Sequence, residues 1–284
     1  MSVEILHISN DEKFIDSAIN QFEKSLPGKN LYLINGTSTN DLKFVKRQDN
    51  SIIAYPYFTK EYWETIKNAN PEVLFIHGLS NKHKHILKKI GNKYKVFWSS
   101  WGRDLFSSGK LKHLLYKDET LSAINEIKQR NNGLKKRIGT LIYYFIKPEK
   151  RTKETPYFFK YIDFMSTVVE DDYNLLSLNY PKETSHIKYI PFNYGGFISD
   201  GIENFSNGSN ILIGNSANFD NNHIETFQLL KNMDFQNRKV IVPLSYGGNE
   251  SYRKYIIDLG YEIFGNAFYP LLEFLPKEEY NKII

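Results

Sequence analysis

A regular alternation of short apolar runs with stretches of helical spacing constrains this chain more than any other feature. The runs are Glu4 to Ile8, Leu31 to Ile34, Ser51 to Tyr55, Val73 to Ile76, Val96 to Trp98, Met165 to Val169 and Ile187 to Pro191. Between them, segments such as Asp11 to Leu26 and Lys60 to Ala69 carry apolar residues at helical intervals. Short continuous apolar runs read as strands buried on both faces, and strands separated by helices pair in parallel because each helix carries the chain back along the sheet. The alternation predicts a doubly wound α/β sheet.

Around Gly195 to Asn210 the pattern lapses into Gly, Ser, Asn and Asp, which reads as a linker, and a second α/β series begins at Ile211. Its strands are expected at Ile211 to Ile213, Lys239 to Pro243 and Glu262 to Phe264, with helices after His223 and from Tyr252 to Leu259. The division expected is a Rossmann-like domain over residues 1–200 and a partial one over 201–284. About three strands in the second series, against the five or six usual for a sheet of this type, point to a truncation.

The 284 residues, 41% hydrophobic and 15% aromatic, are enough for two cores. The absence of cysteine removes disulfides, thiolate nucleophiles and Cys-based zinc sites and fits a reducing compartment. Met1 to Ile5 enters a strand at once, so no signal peptide is expected, and no uncharged apolar stretch approaches the ~20 residues of a spanning helix. A soluble, intracellular protein is expected. The net charge of +5 is unevenly placed. Lys135, Lys136, Arg137, Lys147, Lys150, Arg151 and Lys153, against the single acid Glu149, flank the uncharged stretch Ile138 to Ile146. A basic-flanked aromatic helix of that kind suits an anionic membrane surface, and equally a buried helix with solvated ends. No nucleic-acid reading motif accompanies these charges.

Residues able to do chemistry collect where strands end. In the first series, Val73 to Ile76 runs into His77-Gly78, and Val96 to Trp98 runs into Ser99-Ser100-Trp101-Gly102-Arg103-Asp104. His77 stands where a general base would sit at a carboxyl edge, or simply bonds a neighbouring loop. Asp104 is a base, a substrate-orienting carboxylate or a helix cap. Trp101 is a stacking platform for a sugar or isoprenoid, or a core residue. In the second series, Ile211 to Ile213 leads into Gly214-Asn215-Ser216 and then to a helix opened by His223, while Val240 to Pro243 leads into Ser245-Tyr246-Gly247-Gly248-Asn249-Glu250. Small residues at a strand-to-helix turn let backbone N–H groups and the positive helix end face an anion such as phosphate, and a parallel sheet sets two such loops side by side.

Metal chemistry is not expected. His83 and His85 are flanked by lysines, no His-Glu-x-x-His, Walker or Gly-x-Ser-x-Gly pattern is present, and the nearest acidic pair, Asp171-Asp172, reads as a helix cap. No cofactor is implied.

Four of these segments together resemble the bacterial 4-alpha-L-fucosyltransferase family, glycosyltransferase family 56. The resemblance is carried by Phe97 to Leu105, by Phe75 to Gly78, by Ile211 to Ser216 with Asn222-His223-Ile224, and by Val242 to Tyr246 with Asn249, Glu250 and Tyr252. The order is the same across both series, whereas Leu111 to Thr155 shows little similarity. The resemblance implies a GT-B-like architecture of two Rossmann-like domains with an interdomain cleft, the second apparently truncated. It implies an inverting, metal-independent transferase that moves an N-acetylfucosamine-type sugar from a dTDP donor to a lipid-linked glycan at the inner face of the cell membrane. His77 or Asp104 would then be the base, with Trp101 and Arg103 toward the acceptor. Gly214, Asn215, Ser216, His223, Tyr246, Asn249 and Glu250 would lie toward the donor. A GT-B transferase using a UDP- or GDP-sugar for capsule or O-antigen, or a non-catalytic glycan-lipid binding module, would carry the same features.

Overall fold

Each of the seven apolar runs of the first series is a strand, and all seven join one parallel sheet. The computed structural model describes residues 3–106, 109–131, 157–194, 209–248, 250–276, 279–280 and 283. In chain order the elements begin β1 (Ile5–Asn10), α1 (Ile15–Ser25), β2 (Asn30–Asn35), β3 (Ile52–Ala54), α2 (Lys60–Ala69), β4 (Val73–His77), α3 (Asn81–Ile90), β5 (Lys95–Ser99) and α4 (Arg103–Phe106). After α5 (Asp118–Asn131) come β6 (Phe164–Ser166), α6 (Glu170–Asn179), α7 (Pro181–Thr184) and β7 (Lys188–Tyr189). The second series forms β8 (Ile211–Leu212), α8 (His223–Leu230), β9 (Val240–Pro243), α9 (Glu250–Phe264) and β10 (Phe268–Leu271).

The large sheet has the order β3-β2-β1-β4-β5-β6-β7. From β1 the chain builds outward through β2 and β3, then returns to lay β4 on the other side of β1 and continues to β7. The reversal opens a crevice at the carboxyl ends of β1 and β4. Their register, Ile5 to Ile8 beside Val73 to Ile76, keeps side chains of like parity on one face. Leu6, Ile8, Leu74, Ile76, Val96 and Trp98 pack with Tyr62 and Ile66 of α2 and with Ile86, Leu87 and Ile90 of α3. Tyr32 and Ile34 pack with Ile15 and Ile19 of α1 in a separate cluster. Thr59 caps α2 by accepting from Tyr62 N, and Ser80 caps α3 by accepting from His83 N, so both helices start where the loops leave the sheet.

The smaller sheet, β10-β9-β8, is parallel throughout. Its core joins Ile213, Val240 and Val242 to Phe227 of α8 and to Tyr252, Ile256 and Phe264 of α9. Here the structure corrects the sequence. Glu262 to Phe264 is the last turn of α9 rather than a strand, and the third strand is β10. Gly260, which reads as a helix end, is instead a contact point. A Cβ there would lie 2.3 Å from the Phe268 ring, so the missing side chain is what lets the helix pass over β10.

The chain divides into two compact units, Met1–Leu111 with Arg151–Ser199, and Lys112–Lys150 with Asp200–Ile284. The first therefore differs from a continuous domain over 1–200, because α5 joins the smaller sheet. Ala123 and Ile127 of α5 are part of the second core. Glu225 of α8 accepts from the buried Thr120 through both its backbone N–H, at 2.8 Å, and its hydroxyl, at 2.6 Å. The inferred linker lies largely outside the described residues, and so does the basic segment with Lys135, Lys136, Arg137, Lys147, Lys150 and Arg151. Among the described residues no helix is long and apolar enough to cross a membrane.

Candidate functional site

The crevice at the β1/β4 reversal is a cleft of about 290 Å³, lined by Asn10 and Glu12 at the end of β1 and just beyond it, His77 to Asn81 at the end of β4 and beyond it, and Trp101, Arg103 and Asp104 after β5. Three adjacent strand ends thus supply all of its polar groups. Gly78, at φ +66, turns the chain out of β4, and a Cβ there would meet the Trp101 ring at 2.9 Å. Trp101 therefore lies flat against the turn and forms one wall.

His77 is buried beneath this floor. Its Nε2 lies 2.9 Å from His7 Nδ1, and its Nδ1 lies 2.8 Å from the Tyr194 hydroxyl. The direction of the chain of bonds follows from its far end. Asn30 donates through Nδ2 to Glu23 Oε1 at 2.9 Å and to Leu26 O at 2.7 Å, so its Oδ1 must accept from His7 Nε2–H at 3.3 Å. Neutral His7 then accepts at Nδ1 from His77 Nε2–H, and His77 Nδ1 accepts from Tyr194, whose oxygen receives Trp101 Nε1–H at 3.1 Å. Burial holds His7 at about 3 and His77 well below the usual imidazole range, so both are neutral at pH 7. Both nitrogens of His77 are committed.

Asp104 is also committed. Its Oδ2 accepts from Leu79 N at 2.7 Å and Trp98 Nε1 at 2.8 Å, and its Oδ1 accepts from Ser100 Oγ and Trp101 N, each at 2.9 Å. One carboxylate therefore ties the β4 and β5 loops together. A second tie runs through α3. His83 Nε2 lies 2.5 Å from the Tyr57 hydroxyl, which donates to Asn10 Oδ1 at 2.9 Å. Arg103 begins α4 at the rim of the crevice, exposed.

The sequence did not single out Glu12. It follows Asp11, whose carboxylate is taken up by the backbone N–H groups of Lys43, Phe44 and Val45. Burial, then the charge of Asp11, raises the Glu12 pKa. The signal available was the run Asn10-Asp11-Glu12 directly after a buried strand.

In the second unit the two loops expected to converge do meet. Ala217 N donates to Tyr246 O at 2.8 Å, and Gly248 N donates to Asn218 Oδ1 at 2.8 Å. Gly214 has φ +69, Asn215 is exposed, and Ser216 is buried with its hydroxyl bonded to Asn218 and Asn221. His223, the first residue of α8, is fully buried. The Tyr252 hydroxyl is 3.3 Å from its Nδ1, and its Nε2 has no partner among the described residues. That nitrogen is directed at Gly214, where a Cβ would stand 2.9 Å from it. Burial holds His223 at about 4, hence neutral, and its Nε2 is left unsatisfied among the described residues. Tyr246 packs its ring against Phe274, Glu250 is exposed and paired with Arg253 at 2.5 Å, and Asn249 lies outside the described residues.

Fold and site together define a protein of two α/β units, each with a parallel sheet and a set of polar loops at its carboxyl edge. No protein-family model matches the sequence, and neither does any curated protein. Among solved structures the chain is similar to a UDP-N-acetylglucosamine 2-epimerase at 12% identity and TM-score 0.46, over 99% of this chain and 70% of that one. It is similar to the UDP-N-acetylglucosamine 2-epimerase from Rickettsia bellii at 12% identity and TM-score 0.48, over 99% of this chain and 72% of that one.

Proposed function

We propose that this protein is an inverting, metal-independent glycosyltransferase of GT-B type. It takes an N-acetylfucosamine-type sugar from a dTDP donor and passes it to a lipid-linked glycan in bacterial surface polysaccharide synthesis. The observation that carries this reading is the buried, neutral His223 ring, whose Nε2 has no partner among the described residues and is directed at a left-handed glycine where a strand turns into α8. In this reading Nε2 carries the ring proton, and a neutral donor at a helix N-terminus favours an anionic oxygen, as a nucleoside diphosphate offers. The resemblance to glycosyltransferase family 56 supplies the sugar and the nucleotide.

In this reading the second unit holds the donor through Gly214, Asn215, Ser216 and His223, with Tyr246, Asn249 and Glu250 toward the nucleoside and sugar. Backbone N–H groups and His223 stabilise the negative charge that grows on the diphosphate as the glycosidic bond breaks. The first-unit crevice takes the acceptor sugar, with Trp101 as its apolar wall and Arg103 toward an anionic part of the acceptor. His77 and Asp104 hold that crevice in shape. Lys135, Lys136, Arg137, Lys147, Lys150 and Arg151 would face the headgroups of the cytoplasmic membrane surface.

Calorimetric titration of dTDP and UDP tests the donor half. Binding selective for dTDP is expected, and His223→Phe, which keeps the ring and removes the donor, is expected to weaken it by about 10- to 100-fold. Preference for UDP or GDP would replace the donor nucleotide and leave the reaction class standing. Absence of any nucleotide binding, or equal affinity in the variant, would overturn the donor site.

A further inference from the structure

We propose that Glu12 is the general base of the first-unit crevice, the carboxylate that receives the proton of the acceptor hydroxyl. This deepens the transferase reading above and rests on it. Four side chains lining the crevice are ionisable: Glu12, His77, Arg103 and Asp104. A base needs an unfilled lone pair within reach of the reacting hydroxyl. His77 has none, since its one acceptor nitrogen takes the Tyr194 O–H. Asp104 spreads four donors over its two oxygens. Arg103 presents a guanidinium, which donates hydrogen bonds and offers no acceptor. Glu12 alone of the four has a carboxylate that no side chain or backbone group in the described residues engages, and it stands at the strand reversal where ligands of such sheets bind.

The surroundings favour a proton acceptor. Asp11 beside it is already held by the backbone of residues 43–45. Lys13 follows on the same loop, Tyr57 faces it from the loop after β3, and His77, Arg103 and Asp104 complete the crevice. Half-burial and the Asp11 charge strengthen Glu12 as a base, and Lys13 opposes them more weakly. In the step itself the acceptor O–H bond breaks and its proton passes to Glu12. The acceptor oxygen bonds to the anomeric carbon, and the bond from that carbon to the diphosphate oxygen breaks, its electron pair leaving with the nucleoside diphosphate. Glu12 then returns the proton to water.

The test compares the wild-type chain with Glu12→Gln and Glu12→Ala in a transfer assay, alongside dTDP titration and thermal melts. Glu12→Gln is expected to lower kcat by about 100- to 10,000-fold, with acceptor KM within about threefold and dTDP affinity unchanged. Formate is expected to restore part of the rate of Glu12→Ala. The wild-type acid limb, where the rate falls as Glu12 takes up a proton, should be replaced in the rescued variant by one set by the ionisation of formate itself. A Gln variant with more than about a tenth of the wild-type kcat, or one that raises only KM, would overturn the assignment while the transferase reading stands. A wild-type chain that binds no nucleotide and transfers no sugar would sink the transferase reading, and the role of Glu12 with it.

Discussion

At the scale of single residues, the interior of the first unit holds three neutral histidines, His7, His77 and His83, each fully buried. Their folded pKa values lie below those of an unfolded chain, His7 at about 3 and His83 at about 4. Below pH ~6.5 the unfolded chain therefore binds protons that the folded one refuses, so their contribution is complete above that pH and is lost as pH falls toward the folded values. Each histidine is expected to remove about 1 kcal/mol of stability per pH unit in that window. Urea unfolding at pH 7.5 and 5.5 measures it, and a midpoint that does not move would show the rings to be protonated in the fold. The sequence placed His77 at the end of one strand and Asp104 beyond the next, and the structure has His77 closing β4 and Asp104 in the first turn of α4. Their commitment was not legible, because His77 is held by partners 70 and 117 residues away, His7 and Tyr194. Glu12 was missed for the opposite reason. What distinguishes it is a carboxylate that no group among the described residues hydrogen-bonds, which only the assembled crevice reveals.

At the scale of elements, local pattern carried further. All seven strands of the large sheet and the extent of α2 follow from apolar runs and helical spacing, since a parallel strand buried on both faces leaves a continuous apolar trace. The end of α9 did not follow, because a glycine in a helical pattern reads the same whether it stops the helix or admits a neighbour. Gly260→Ala separates the two. Helix propensity alone favours alanine by about 1 kcal/mol, whereas overpacking against Phe268 costs about 1–3 kcal/mol. With a Cβ only 2.3 Å from the ring, packing is expected to win, and the melting temperature to fall. A rise would mean that Phe268 swings aside freely.

At the scale of the molecule, the assignment of α5 to the second unit is the part of the architecture that no local pattern announced. Its amphipathic spacing says only that one face is covered, not by which sheet. The pair Thr120 and Glu225 fixes the answer in chemistry. Glu225→Ala would leave a buried N–H and O–H without acceptors, at a cost of about 1–3 kcal/mol. Hydrogen exchange should then quicken in α5 and α8 and stay unchanged in β1 and β4. Equal acceleration in both sheets would indicate a general loss of stability instead.

The division of the chain into units has a consequence for the gene. The polypeptide passes from one unit to the other at 111/112, 150/151 and 199/200, so neither unit is written as a single uninterrupted stretch of codons. A single crossover cannot exchange either unit intact for that of another protein. A new second unit could be grafted onto this first unit only by replacing two separate cassettes together, and variation in the two halves is therefore bound to be inherited as one.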